Sequence, residues 1–401
     1  MTRLRDPVRV LFVDDEAHVL KGLERVLHRQ NKGWSMVFAT GGEEALSRLA
    51  EGPTDVIVSD MQMPGIDGAA LMQEVRRRHP EVVRLILTGH SDPGMILRAV
   101  RTTHQFLVKP CLPEELIETV ERTLEPRRRL GRDDECRRIG RIERLPSPSG
   151  RMEQLRAALD RPSISSDELG QIMGADPAMT VRVVQLSNSV YGHGRTLVTD
   201  PADAVARVGV DRLRSLGEMP IFCEGVPDSP ELEAWARHSL MTARCARGIA
   251  ERAELDRSTT GLVYLAGLLH DLGDLMGADG LPAGGTQDGR GGLGVLAGDY
   301  FLALWGFPKE LRGVIRGIHE PVTDSRENAT LSAVQGGHEL AGQMPQACGE
   351  GLYLPLNQRL EITGAFAGSS IGNEWVRRCQ ELWTRGMRSS EGEEYTNERN
   401  A

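Results

Sequence analysis

Residues able to do chemistry recur at fixed places in the first 110 positions: Asp14 and Asp15, Asp60, Thr88 and Lys109. Each comes at the end of a short, mainly apolar run, at residues 8–13, 56–58, 85–87 and 106–108. Such runs, bounded by turn residues, read as strands buried on both faces. Asp60 ends its run and is followed by Pro64, Gly65 and Gly68, so the chain must turn there. In an open α/β sheet the carboxyl ends of the strands share one edge, so these five groups can meet. Three carboxylates crowded together repel one another and call for a cation, and hard oxygen donors with room for water suit Mg2+. Asp60 is then the nucleophile that forms an acyl phosphate. Lys109 would pair with the phosphoryl oxygens and Thr88 would donate its hydroxyl to another. Taken singly, an Asp-Asp pair is a solvated turn and a Lys-Pro step a loop. The signal lies in the five residue types in order, each at a strand end.

The elements that must position these groups follow from periodicity. Strands are expected at residues 8–13, 35–39, 56–60, 84–88 and 106–108. Helical spacing covers 17–29, 43–49, 69–78 and 113–124, and Asp92-Pro93 opens a further helix as cap and first residue. Five strands alternating with five helices predict a doubly wound, five-stranded parallel sheet of the α/β class over residues 1–124. Pro126 reads as the end of this domain. Residues 125–144 carry eight Arg among several acids. They read as a solvated, partly helical connector with weak ion pairs, or, more sharply, as a signalling helix or an Arg patch for an acidic partner. Pro146, Pro148 and Gly150 break the chain. From there, residues 145–388 show a succession of helical periods and no alternating strands, which predicts an all-α domain. Residues 389–401 are polar and charged and read as a disordered tail.

Composition narrows the class. A net charge of −9 argues against general nucleic-acid binding. No apolar run approaches the ~20 residues needed to cross a bilayer, and the N-terminal apolar run is broken by Asp14 and Asp15, unlike a signal peptide. Six Cys lie far apart without metal-ligand spacing and read as reduced thiols of a cytoplasmic protein.

Four stretches resemble a response-regulator receiver domain, which has the flavodoxin-like fold: Leu11-Phe-Val-Asp14-Asp15-Glu16, Asp60-Met-Gln-Met-Pro64-Gly-Ile-Asp67-Gly68, Leu87-Thr88-Gly89 and Phe106-Leu-Val-Lys109-Pro110. The resemblance implies that Asp60 accepts a phosphoryl group from a sensor histidine kinase. It implies that Asp15, Asp60 and the Gln62 backbone carbonyl hold Mg2+, with Asp14 helping through water. Thr88 and Phe106 would be the switch pair.

The second domain offers His238 after Trp235 and the pair His270-Asp271 in an apolar setting. These could hold one divalent metal for phosphoester hydrolysis, or His270 could be a hydrogen-bonded core residue. The region resembles an HDOD domain, the all-α relative of HD phosphohydrolases, through Leu145-Pro-Ser-Pro148, the run from Asp176 to Asn188, Trp235-Ala-Arg-His238, Gly267-Leu-Leu-His270-Asp271-Leu-Gly273 and Leu302-Ala-Leu-Trp305-Gly-Phe-Pro308. Departures from the active enzymes point to a degenerate site. Asp274 stands where Lys is usual, Gly294 and Ile318 stand where one branch carries His, and His338 stands near the closing Asp. Residues 277–294 include eight Gly and read as an insertion. The expectation is a non-enzymatic, protein-binding output with no firm cofactor in the HDOD domain. Its downstream signalling partner is unnamed and homodimerisation is open. The alternative is a receiver-regulated phosphohydrolase acting on a nucleotide or cyclic dinucleotide.

Overall fold

The computed structural model describes residues 7–30, 33–89, 98–188, 197–217, 222–226, 229–276, 291–318 and 329–343. The N-terminal strands are β1 (Arg9–Val13), β2 (Ser35–Ala39), β3 (Val56–Asp60), β4 (Val83–Thr88) and β5 (Gln105–Val108). They form one sheet in the order β2-β1-β3-β4-β5 with every pair parallel. The sequence expectation of a doubly wound five-stranded sheet therefore holds. Val56, Ile57 and Val58 are fully buried because helices cover both faces. These helices are α1 (Ala17–Gln30), α2 (Gly42–Glu51), α3 (Gly68–Arg78) and α4 (Pro113–Leu130). The helix start expected at Asp92-Pro93 lies outside the described residues.

Pro126 does not end α4. The helix continues through it to Leu130 and stops at Gly131, whose left-handed φ of 62° suits glycine. Proline removes a single donor, and the turn beyond it is anchored because Arg127 is buried and paired with Asp55. Nor is the linker solvated. Helix α5 (Asp133–Gly140) buries Cys136 and Ile139, and Gly140 lies so close to the sheet domain that a Cβ there would fall 1.9 Å from the Pro80 carbonyl oxygen. Arg128, Arg129, Arg132 and Arg137 of this stretch are exposed and form salt bridges, while its apolar stripe docks inward.

The C-terminal domain is helical, with one small addition that periodicity could not show. Strands β6 (Pro146–Pro148) and β7 (Glu224–Val226) form a two-stranded parallel ladder. Its helices are α6 (Ser149–Leu159), α7 (Ser166–Gly174), α8 (Pro177–Asn188), α9 (Pro201–Val208), α10 (Val210–Gly217), α11 (Pro230–Arg252), α12 (Arg257–Leu269), α13 (Gly291–Leu304), α14 (Lys309–Gly317) and α15 (Ala329–Gln343). A 3-10 turn, Leu272–Met276, follows α12. Ser165 caps α7 through the Glu168 amide, as its capping box predicts. Asp176 caps α8 through the Met179 amide and also accepts from the Ser147 hydroxyl, which ties β6 to that helix. Of the expected insertion, residues 277–290 lie outside the described residues, as do the end of the expected all-α domain from residue 344 and the tail from 389.

The two domains share a buried seam. On β5, Gln105 donates to the Thr123 hydroxyl of α4 and to the Ala303 carbonyl of α13, each at 3.0 Å. From α8, Gln185 donates to the His104 carbonyl at 3.0 Å, and Arg182 donates to the Val100 and Glu143 carbonyls. The Arg182 guanidinium also lies 4.0 Å from the centre of the Trp305 ring.

Candidate functional site

The first site sits where strand order reverses, between β1 and β3, the place where doubly wound sheets bind ligands. β1 delivers Asp14, buried, and Asp15, exposed, while β3 delivers Asp60 and β5 delivers Lys109. The Lys109 ammonium lies 2.8 Å from Asp60 and 3.0 Å from Asp14, so it bridges both acids. Burial pushes the Asp60 carboxyl up, Lys109 opposes that, and the charge of Asp14 adds to it. The same two carboxylates hold the Lys109 pKa up against its own burial. Thr88 is buried at the end of β4, and Phe106, on the adjacent strand in register with Ile86, points into the core. The five sequence-predicted groups thus converge on one edge. The exposed Gln62 follows Asp60 in the turn.

That turn needs a glycine for a steric reason. A Cβ at Gly68 would lie 2.3 Å from the Asp60 carbonyl oxygen, so only glycine lets α3 start against the end of β3. The N-cap of that helix is Asp67, which accepts from the Ala70 amide. The carboxylates are oxygen donors at one edge, with a lysine offsetting only part of their charge, and this fits a hard divalent cation. Asp15, Asp60 and the Gln62 carbonyl would hold Mg2+, with Asp14 behind them. Its chemistry there would be to offset the charge of the acids and of an incoming phosphoryl group.

The second site lies in the helical domain, where three helices cross. His238 comes from α11, His270 and Asp271 from the end of α12, and His338 from α15. One ligand atom from each lies within 4.8 Å of every other. His270 Nε2 is 2.9 Å from His338 Nδ1 and 2.9 Å from the Asp271 carboxylate, and His238 Nε2 is 3.3 Å from His338 Nδ1. Burial would lower the His270 pKa, but the neighbouring Asp271 carboxylate outweighs it and the net direction is upward. The indole of Trp235 donates to the Asp271 carbonyl at 3.1 Å and so fixes the end of α12 on α11.

Small residues make this meeting possible. A Cβ on Gly267 would fall 2.8 Å from Ala243 Cα, and one on Gly337 would fall 2.7 Å from the Ala246 nitrogen. Helices α12 and α15 therefore both touch the α11 backbone, which brings the residues next to those glycines within reach of His238. The sequence reading named His238, His270 and Asp271 but left His338 outside the set, because a carboxylate was expected there. An imidazole is also a metal ligand, and that was the available signal.

The family comparisons divide the chain at the same place as the structure. Residues 10–121 match the response regulator receiver domain and residues 145–286 match the HDOD domain. The chain carries a receiver domain followed by an HDOD domain. The receiver region is 35% identical over 118 residues to the hydrogenase transcriptional regulatory protein HoxA of Cupriavidus necator, covering 29% of this chain and 24% of that protein. It is 35% identical over 116 residues to the DNA-binding transcriptional regulator NtrC of Salmonella typhimurium, with 29% and 24% covered. The sensor kinase CckA of Brucella abortus matches over 127 residues at 34% identity, covering 31% of this chain and 13% of the kinase. Among solved structures, the signal receiver domain of an HD domain-containing protein from Pseudomonas fluorescens Pf-5 is 27% identical, with 30% of this chain and 95% of that chain covered and a TM-score of 0.29. The match to HoxA and NtrC thus spans about a quarter of their length. The receiver with these relatives supports a two-component response regulator. Among the described residues no helix is long and apolar enough to cross a membrane.

Proposed function

We propose that this chain is a phosphorylation-controlled response regulator in which a sensor histidine kinase loads Asp60 and the HDOD domain carries the output. The transfer is a displacement at phosphorus. An Asp60 oxygen forms the new O–P bond, the N–P bond of the phosphohistidine breaks, and the leaving imidazole takes up a proton. Lys109, now held between Asp14 and Asp60, is placed to pair with the new phosphoryl oxygens. Thr88 is placed to donate its hydroxyl to the same group, and Phe106 is the neighbour that would respond to its movement.

One observation supports the relay above all. The strand that carries Phe106 also carries Gln105, whose amide is bonded to the Ala303 carbonyl of the HDOD domain. A shift of β5 is thereby coupled to α13 without any intervening linker. We place the output in protein binding rather than hydrolysis, which Asp274 and Gly294 support as departures from the enzymes of the wider family. Four free cysteines among the described residues fit a reducing, cytoplasmic setting.

The test is phosphorylation of the full chain by a small-molecule phosphodonor with Mg2+, read by mass, with hydrogen exchange read over residues 298–306. The expected result is one phosphoryl group, lost in Asp60→Asn, and altered exchange in that segment. Labelling that survives Asp60→Asn, or unchanged exchange in the phosphorylated chain, would overturn the proposal.

A further inference from the structure

The cluster at the crossing of α11, α12 and α15 has no part in the reading above, yet it is a built arrangement of donors. We propose that His238, His270, Asp271 and His338 form a closed, mononuclear site for a first-row transition metal. Zn2+ is the ion this donor set suits, and it acts as a clamp on the three helices rather than as a catalyst.

Distance comes first. Zn–N bonds of about 2.0–2.1 Å in a tetrahedron separate the ligand atoms by about 3.3 Å. Four of the six separations here are 2.9, 2.9, 3.3 and 3.7 Å, the last between His238 Nε2 and the Asp271 carboxylate, and all six lie within 4.8 Å. A tetrahedral ion at the centre needs only small side-chain adjustments.

Chemistry decides the ion. Three imidazoles and one carboxylate suit zinc, iron or nickel, whereas Mg2+ prefers an octahedron of oxygens. The orientation of His270 is already that of a ligand. Its Nδ1 lies 2.9 Å from the Gly267 carbonyl, so Nδ1–H donates there and the Nε2 lone pair points into the cluster. Trp235 holds the Asp271 backbone in place from outside.

The count of protein ligands separates a clamp from a catalyst. Catalytic zinc keeps a position open for water, usually with three protein ligands, whereas structural zinc is closed by four. Here His338 supplies the fourth donor. A Cβ at Gly273 would lie 1.8 Å from the Gly294 carbonyl oxygen, so the turn after Asp271 packs directly on the α13 backbone.

The experiment uses the full chain. Metal content is measured by mass spectrometry after purification and again after chelation. The stripped chain is then titrated with Zn2+, Mn2+ or Mg2+ while thermal unfolding is followed. One zinc per chain is expected, with a rise of several degrees in unfolding temperature on reloading with Zn2+ and a much smaller one with Mg2+. His238→Ala and His338→Ala should cut occupancy at least tenfold. His28→Ala, on the exposed side of α1, should leave it unchanged. Co2+ loading should give the intense visible absorption of a four-coordinate centre. If the alanine variants do not fold, the strip-and-reload series on the natural chain still decides. Occupancy below a tenth with no zinc-dependent shift would overturn the site. A weak six-coordinate cobalt spectrum, or zinc-dependent cleavage of bis(p-nitrophenyl) phosphate, would overturn the clamp.

Discussion

At the scale of single residues, several positions hold charge or polarity where the fold would otherwise be apolar. Asp60 is the first. Its carboxyl is pushed up, chiefly by burial, so the folded chain binds that proton more tightly than the unfolded chain does. Stability from this group is therefore lost as pH rises from the ordinary value of 3.8 through the raised one. Asp60→Asn should raise the unfolding temperature at pH 7, and the gain should vanish below about pH 3.8, measured by thermal denaturation across pH. Arg84, on the interior strand β4, is fully buried, and burial pulls its pKa down to about 9, so it keeps its charge at neutrality. It donates to the carbonyls of Pro80, Val82, Thr102 and Gly140, which solvate the guanidinium and stitch the linker helix to the sheet. Arg84→Met should destabilise the chain by about 3 kcal/mol, read from chemical denaturation, because those carbonyls lose their partner. His104 touches the same guanidinium, and its pKa falls well below 6.5, through burial first and then Arg84. The unfolded chain takes up that proton and the folded chain does not. Stability should thus fall by up to about 1.4 kcal/mol per pH unit as pH drops below 6.5. A flatter acid limb in His104→Gln checks it.

At the scale of elements, close backbone approach sets the geometry of both sites. Gly68 lets α3 begin against Asp60, and Gly68→Ala should cost about 1–3 kcal/mol and slow Asp60 phosphorylation, because the added Cβ must push the Asp60 carbonyl away. Gly337 does the same for α15 on α11. Gly337→Val should displace His338 from the other histidines, so zinc occupancy would fall even though no ligand is altered. A preserved occupancy would mean that α15 reaches the cluster by another route. Helix α4 is the element that most changes the reading of the molecule. By running through Pro126 to Gly131 it becomes a single rod from the receiver into the seam. Its residue Thr123 accepts from Gln105, and Arg129 on the same helix lies 3.8 Å from Asp299 of α13.

At the scale of the whole molecule, the domain seam is polar and specific rather than a smooth apolar face. Asp299 is buried against Arg312 and Arg316, and Arg182 fills the corner between α8, α13 and the receiver. Such a seam is costly to open halfway, since each buried amide or guanidinium would lose defined partners. Gln105→Leu should leave the Ala303 carbonyl unpaired and cost about 1–3 kcal/mol. It should also uncouple the domains, so that phosphorylation no longer alters exchange over residues 298–306. Retained coupling in that variant would show that the signal crosses elsewhere in the seam.

The residues of the acidic site at the sheet edge were legible in the sequence because each sits at the end of a strand. Strand ends are marked locally, by an apolar run and a turn, and the parallel topology then brings them together without any further information. The helical identity of the second domain was legible for the same reason, since a 3.6-residue period is local. What only the tertiary structure decided depends on pairs far apart in the chain. His338 joins His270 across 68 residues through two glycine-lined crossings that no period announces. The linker docks because one face of α5 meets Pro80, and Pro126 is tolerated because Arg127 finds Asp55. Arg84 and Arg182 look like solvated charges in a sequence and are buried here because backbone carbonyls from separate segments surround them. Local patterns specify what each segment becomes. Which distant segments press together, and hence which polar groups can be buried, is fixed by packing in three dimensions.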